Sequence, residues 1–343
     1  MTFVRSMFQK SYVALALRIC RFGGDVPTGP LYNTLSASRL FSTQLDDFVP
    51  PPPPKFQGVP VYPDIHFLNK DSDDIRPSLT RNEDPNAVFV VNGSSRGIGL
   101  QFVKSLVSRT KGSIVACCRN PEGASQLKEY TNSLPDVNRK RIHFVHLDME
   151  QQESILSAGE TIRRDFQRVD MLLNVAGLLG DGSTTPGPER SILKLDRDWV
   201  EKTMAVNVIG PVMFIKELVP TMKTKLRTAN DRPISVVANL SARVGSISDN
   251  ELGGWYSYRF SKAALNQATR TLSHELKRQG TWTIALHPGT TDTDLSKPFQ
   301  RNVADGKLFP VEFTVKQLLN IVDSMTEENS GGLYDWAGKA LPF

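Results

Sequence analysis

Cysteine is scarce in this chain. Its three cysteines are Cys20, Cys117 and Cys118; two of them are adjacent, and adjacent cysteines rarely pair, so no disulfide framework is expected. A reducing compartment fits that usage. Histidine is thin as well: of five, only His143 and His146 stand close together, with no Cys or Glu completing a ligand spacing, so no metal site is expected. Long apolar runs are missing near the N-terminus. The longest there, Val13–Leu17, falls far short of the roughly 20 residues that cross a bilayer, and no membrane partner is expected. Neither a solenoid-period repeat nor a heptad array occurs, which excludes repeat arrays and coiled coils. What is present, 39% hydrophobic and 22% charged residues over 343 positions, is ordinary for a globular enzyme with one large domain and extensions.

The net charge of +5 suggests a polyanion partner only until it is located. Residues 1–43 hold Arg5, Lys10, Arg18, Arg21 and Arg39 against the single acid Asp25, a net of +4 that leaves +1 for the rest. A nearly neutral body implies no nucleic-acid partner. The stretch 1–43 instead resembles a mitochondrial-type presequence: rich in Arg and Ser, poor in acid, with Arg39-Leu40-Phe41 before Ser42-Thr43 similar to a processing site. A mitochondrial location is expected; a plastid address, or a plain basic tail on a cytoplasmic protein, is the alternative. Residues 44–84 follow as a proline-rich linker, with Pro50–Pro54 favouring extended polyproline II, and an irregular arm that either lies on the domain or hangs free.

The pattern changes at residues 85–343. Short β-rich apolar runs (Ala87–Val91, Ser113–Cys118, Arg141–Leu147, Val169–Asn174, Pro233–Asn239, Trp282–His287) alternate with helix-like stretches. The helical ones are Gly99–Ser108, Ala124–Ser133, Glu150–Gln167, Trp199–Leu226 and Tyr258–Gln279. Such alternation predicts right-handed βαβ crossovers and a doubly wound parallel α/β sheet with helices on both faces.

The first strand runs into Asn92-Gly93-Ser94-Ser95-Arg96-Gly97-Ile98-Gly99 and then a helix. Glycines at 93, 97 and 99 permit a tight turn and leave room for a pyrophosphate, toward which the helix N-terminus presents free N–H groups. Arg119 closes the second strand, where an NAD-specific site would place a carboxylate for the ribose 2′-hydroxyl. With Arg96 approaching from the glycine loop, two cations and no acid point to NADP(H). Further on, Tyr258 and Lys262 lie one helical turn apart directly after the fifth strand. A phenol of pKa about 10 needs a nearby cation to serve as an acid–base group at neutral pH, and Lys262 can supply that charge while reaching ribose hydroxyls.

Together these residues resemble the short-chain dehydrogenase/reductase family over Ala87–Phe343, with an ending at Ser330–Lys339 similar to the C-factor and sniffer-like carbonyl reductases. The resemblance implies a Rossmann-like, seven-stranded parallel sheet and, by family habit, a homo-oligomer. It implies that Asn174, Ala176 and Gly177 form the segment after the fourth strand that lines the cofactor, and that Asp148 contacts adenine. It also implies that Asn207 holds a water of the proton relay, and that Pro288, Gly289, Thr291 and Thr293 hold the nicotinamide carboxamide. One departure stands out: the family's catalytic serine position is Ala242, so the role is expected of Ser241, with Ser246 as second candidate. Asn92 stands where the family usually has Thr. The implied activity is hydride transfer between NADP(H) and a small carbonyl or alcohol, in a pocket lined by the stretch after Gly177, by Ser246–Trp255 and by a lid at Leu295–Phe309. Phe299, Leu308, Phe309 and Trp255 suggest an apolar substrate. The rival reading is a non-catalytic binding or assembly subunit on the same fold.

Overall fold

Strand β1 (Val88–Asn92) shows why the strands read as unbroken apolar runs. In this computed structural model, which describes residues 61–67, 77–180, 188–224 and 234–343, Phe89 and Val91 enter one core cluster and Val88 and Val90 the other. A strand covered on both faces has no solvent side to alternate with. Strands β2 (Ser113–Cys118), β3 (Ile142–His146), β4 (Met171–Asn174), β5 (Ser235–Leu240) and β6 (Thr281–His287) follow in the same parallel sheet. A two-stranded ladder of β7 (Thr290–Thr291) and β8 (Leu308–Phe309) stands apart; β9 (Leu333–Asp335) pairs with β6, and β10 (Ala340–Leu341) closes the edge. The order β10-β9-β6-β5-β4-β1-β2-β3 contains the seven expected parallel strands plus an antiparallel eighth, β10. Because β1 pairs with both β2 and β4, the chain reverses direction of winding there, and the crevice for a ligand opens at that switch point.

Helices cover both faces. On one side lie α2 (Gly97–Arg109) and α8 (Val311–Ser324), through Phe102, Leu106, Leu318 and Val322; on the other lie α4 (Gln152–Phe166) and α6 (Gly210–Leu218), through Ile155, Ile162, Phe214 and Ile215. Burial of each such side chain stabilises by about 1.5–3 kcal/mol before entropy is counted. Helix α3 (Ser125–Ser133) adds Leu127 to the first side, and α7 (Tyr256–Leu276) packs along β6. The expected long helix from Trp199 is three pieces instead: α5 (Arg197–Met204), a π segment (Ala205–Ile209) and α6. Pro211 lacks the N–H an α-helix needs there, and Gly210 passes so close to Met149 that a Cβ would stand 2.5 Å from its carbonyl oxygen. The span Arg197–Thr221 is long and apolar enough to cross a membrane, but it packs its apolar side chains onto the sheet.

The arm expected to be irregular is corrected where it is described. Residues 77–83 form helix α1 (Pro77–Glu83), whose Arg81 is 1% exposed and bonds Asp323 of α8 at 2.8 Å. Ser78 and Asn82 bond the same residue, and Arg109 takes its second oxygen at 2.8 Å. Residues 61–67 lie along the β9 and β10 region: Ile65 N–H donates to Gly338 O, Tyr334 Oη donates to Pro63 O, and Asp64 accepts from Ala340 N–H. The arm thus rests on the domain through these long-range polar contacts, which leave no periodicity in sequence. Residues 1–43, expected to be a presequence, and residues 44–60 of the expected linker lie outside the described residues.

Candidate active site

The glycine loop is built as its spacing predicts. Gly93 and Gly97 have φ of 67° and 54°, the left-handed region, and a Cβ at Gly93 would come within 2.8 Å of Ala176 N. Across the loop, the side chain of Thr293 faces Gly97 at 3.6 Å from where a Cβ would stand, so these residues form opposite lips of one crevice. Ser95 and Ile98 line the same turn, half-buried. Asn92, in the place of the family's Thr, accepts the N–H groups of Val175 and Ala176 at 2.7 and 2.8 Å. This binds the loop after β1 to the loop after β4.

Arg119 is exposed at the end of β2, with no carboxylate partner among the described residues, and Arg96 is exposed with Asp294 4.0 Å away. Asp148 accepts Glu150 N–H and is half-buried at the end of β3. These three stand at strand ends around the β1 crevice, with cations on the two positions that the sequence singled out.

On α7, burial dominates the chemistry. Tyr258 and Lys262 share one helix face, with Lys262 Nζ 5.5 Å from the phenol ring centroid and donating to Leu240 O at 2.7 Å. Burial pushes the Lys262 ammonium down to about 8 and pushes the Tyr258 phenol up. For the phenol, loss of water acts against the lowering that a neighbouring cation gives. Gly245 explains the tight fit, since a Cβ there would meet Lys262 backbone at 2.7 Å.

Several assigned side chains are occupied elsewhere. Ser241 donates its hydroxyl to Asn266 Oδ1 at 2.6 Å and is 2% exposed. Ser246 accepts Asp249 N–H at 3.1 Å within its own turn. Ala242 leaves the family's position without a hydroxyl, and the two candidate serines on either side of it are engaged in these local bonds. Asn207, fully buried in the π segment, grips both backbone groups of Leu178 and also donates to Ser261, so its amide clamps the loop after β4. Gly177 lies beside it, with room between Asn207 Oδ1 and Lys262 Nζ that a Cβ would narrow to 3.4 and 3.8 Å. Asn174 is spent bonding Asn92 and Asn239 across the sheet. Thr291 turns inward to Thr314 at 2.9 Å, leaving Thr293 as the threonine at the crevice. Pro288 leads into Gly289, whose φ is 71°, and a Cβ there would strike Phe309 at 2.7 Å.

A cavity of about 290 Å³ adjoins this centre, lined by Trp255, Phe299, Pro298, Thr290, Val303 and Arg190. Trp255 stacks near Tyr258 (6.3 Å) and Phe299 (5.4 Å). Of the other aromatics expected here, Phe309 packs on Trp336 and Phe313 instead. Two residues went unnoticed in the sequence. Glu189 accepts Ser257 N–H at the start of α7, placing an anion at a helix N-terminus, and its carbonyl accepts Trp255 N–H at 2.5 Å. His287, at the end of β6, is pushed down to about 4 by burial.

A doubly wound sheet, a glycine loop at its switch point and a Tyr/Lys pair on the helix after β5 define a nucleotide-binding oxidoreductase. The chain belongs to the short-chain dehydrogenase family, whose model matches residues 87–304. The C-signal protein of Myxococcus xanthus is 31% identical over 51% of this chain and 93% of its own length. Among solved structures, the NADPH-bound carbonyl reductase from chicken fatty liver is 26% identical, covering 75% of this chain and 99% of that one, with a TM-score of 0.65. The carbonyl reductase Sniffer of D. melanogaster is 25% identical over 76% of this chain and all of its own (100%), with a TM-score of 0.65. Nothing in these likenesses favours the non-catalytic alternative.

Proposed function

We propose that the protein is an NADPH-dependent carbonyl reductase with Tyr258 as its proton donor. The observation that carries this reading is the geometry of the pair, the half-buried Tyr258 phenol with the Lys262 ammonium 5.5 Å from its ring, on the helix that borders the crevice. The crevice fits a dinucleotide: a Cβ at Gly93 or Gly99 would collide with backbone, so the loop is bare of side chains where a pyrophosphate would approach. Arg119 and Arg96 would hold a 2′-phosphate, and the lips at Gly97 and Thr293 would hold the chain of phosphates and the carboxamide between them. NADPH, when bound, supplies the hydride. The chicken reductase, bound to NADPH, supports the same cofactor here.

The chain's own residues handle the proton. A phenol is neutral below its ordinary pKa of about 10 and so is in the form that donates; Tyr258 gives its proton to the substrate oxygen and is left as phenolate. The ammonium of Lys262 is held near that charge by Leu240 O and stabilises it. Asn207 keeps the loop after β4 in place beside Lys262. Ser241 is bonded to Asn266 and Ser246 accepts Asp249 N–H, so in this reading Tyr258 is the hydroxyl that meets the substrate oxygen.

Loss of NADPH absorbance against a panel of aldehydes and ketones tests the reading, with NADH run in parallel. Wild type is expected to turn over with NADPH faster than with NADH. Tyr258→Phe keeps the ring packing and should cut kcat by roughly 10²–10⁴-fold, the usual share of one acid–base group, with NADPH affinity preserved. Undiminished turnover in the Phe variant would remove Tyr258 from the mechanism.

A further inference from the structure

Arg190 is the single charged residue lining the cavity beside Tyr258, among the described residues. Its neighbours there are apolar (Trp255, Phe299, Pro298 and Val303) or neutral polar (Thr290 and Asn302), and no carboxylate joins them. Some arginines elsewhere find acids, as Arg163 bonds Glu217, Arg168 bonds Asp170 and Arg243 bonds Asp249, while others, such as Arg119, find none among the described residues. Arg190 has no such partner among the described residues, and it stands exposed. The adjacent acid, Glu189, is already spent on Ser257.

The backbone that carries Arg190 is fixed. Glu189 O accepts Trp255 N–H, and Arg190 Cα lies 3.7 Å from where a Cβ on Gly254 would stand. Gly253, Gly254 and Trp255 all have positive φ (63°, 67° and 56°), so the chain turns sharply here into α7. That turn sets the Arg190 backbone against the segment that leads into α7. Thr290, in the segment facing the glycine loop, borders the same cavity, so the space lies at the reacting end of the crevice. A guanidinium with no carboxylate partner among the described residues, in a cavity that shares Trp255 with the turn into α7, selects for an anion on a partly apolar body. At about 290 Å³ the cavity sits at the small end of ligand sites, which run roughly 300–1,000 Å³, and suits a single ring.

We propose that the substrates are small carbonyl compounds that carry a carboxylate, held by Arg190, on an apolar body packed between Trp255 and Phe299. This rests on the carbonyl-reductase reading above and names its substrate class. The test compares 4-carboxybenzaldehyde with its neutral methyl ester under saturating NADPH. Wild type should favour the acid by roughly tenfold in kcat/KM, expressed in KM, since a charge-assisted bond is worth more than that when fully buried and less when exposed. In Arg190→Ala the ratio of acid to ester should fall to near one, and Arg190→Lys should retain part of it. No preference in wild type, or a preference that survives Arg190→Ala, overturns the proposal. Should neither aldehyde be reduced, the carbonyl-reductase reading fails and calorimetry decides the pocket by itself. Benzoate should bind the NADP⁺-saturated protein more tightly than benzamide, with the difference lost in Arg190→Ala; equal binding of the two by wild type overturns the anion site.

Discussion

Ser241 and Ala242 are consecutive, and along an extended chain consecutive side chains leave on opposite faces. Ser241 turns to Asn266 beneath the helix; the family's reactive position falls to the methyl of Ala242. The two residues therefore exchange the effects that sequence alone assigns. Ser241→Ala should leave turnover close to wild type and lower stability by about 1–2 kcal/mol, because Asn266 loses a buried partner. Ala242→Ser should raise kcat, by up to roughly 10²-fold if the added hydroxyl reaches the substrate oxygen. Steady-state rates with NADPH, paired with urea unfolding, separate the two. A collapse of turnover in Ser241→Ala would mean that this serine leaves Asn266 when substrate binds. The serine identity was legible in the sequence, but its direction was not, since a hydrogen bond to a residue 25 positions away decides it.

Helix α7 carries Tyr258, Lys262 and Asn266 at intervals of one turn, a single stripe against the end of β5. The pair Tyr258/Lys262 was readable because a helix makes its own i,i+4 neighbours. What fixes the helix was not readable: Glu189 reaches its first turn from 68 residues away, and Gly245 meets Lys262 only after β5 has folded. The same packing has a cost in proton affinity. An ordinary lysine holds its proton until a pH of about 10.5, whereas burial brings Lys262 to about 8. The folded protein thus binds this proton less tightly than the unfolded chain does. Its penalty is full below pH 8, shrinks as pH rises from 8 toward 10.5, and is gone above that window. Lys262→Met should abolish reduction while removing this rise. Urea unfolding of both proteins at pH 7 and pH 10 measures it: the stability of wild type relative to the variant should grow between the two. A constant difference would show that Lys262 titrates normally.

At the scale of the molecule, the six expected strand runs appear within one or two residues of their observed ends, because doubly covered strands are written as apolar runs. Strands β9 and β10 and helices α1 and α8 escaped notice. The first three are short, and α1 and the arm are tied down by single polar residues rather than by a stripe. Residues 1–43 remain a matter of sequence. We propose that they direct the protein to mitochondria, and a fluorescent passenger fused to them should be imported; retention in the cytosol or entry into plastids would refute this. The clamp on Asp323 bears on where the molecule can be cut. The family likeness begins at residue 87, yet Arg81 and Asn82 satisfy a carboxylate on α8 that lies far downstream. A fragment started at the family boundary would keep every residue of the crevice and still lose one of that carboxylate's two arginines, leaving the remaining charge to Arg109. The unit that folds is longer than the unit that inheritance recognises, and its first stitch is sewn before the shared sequence starts.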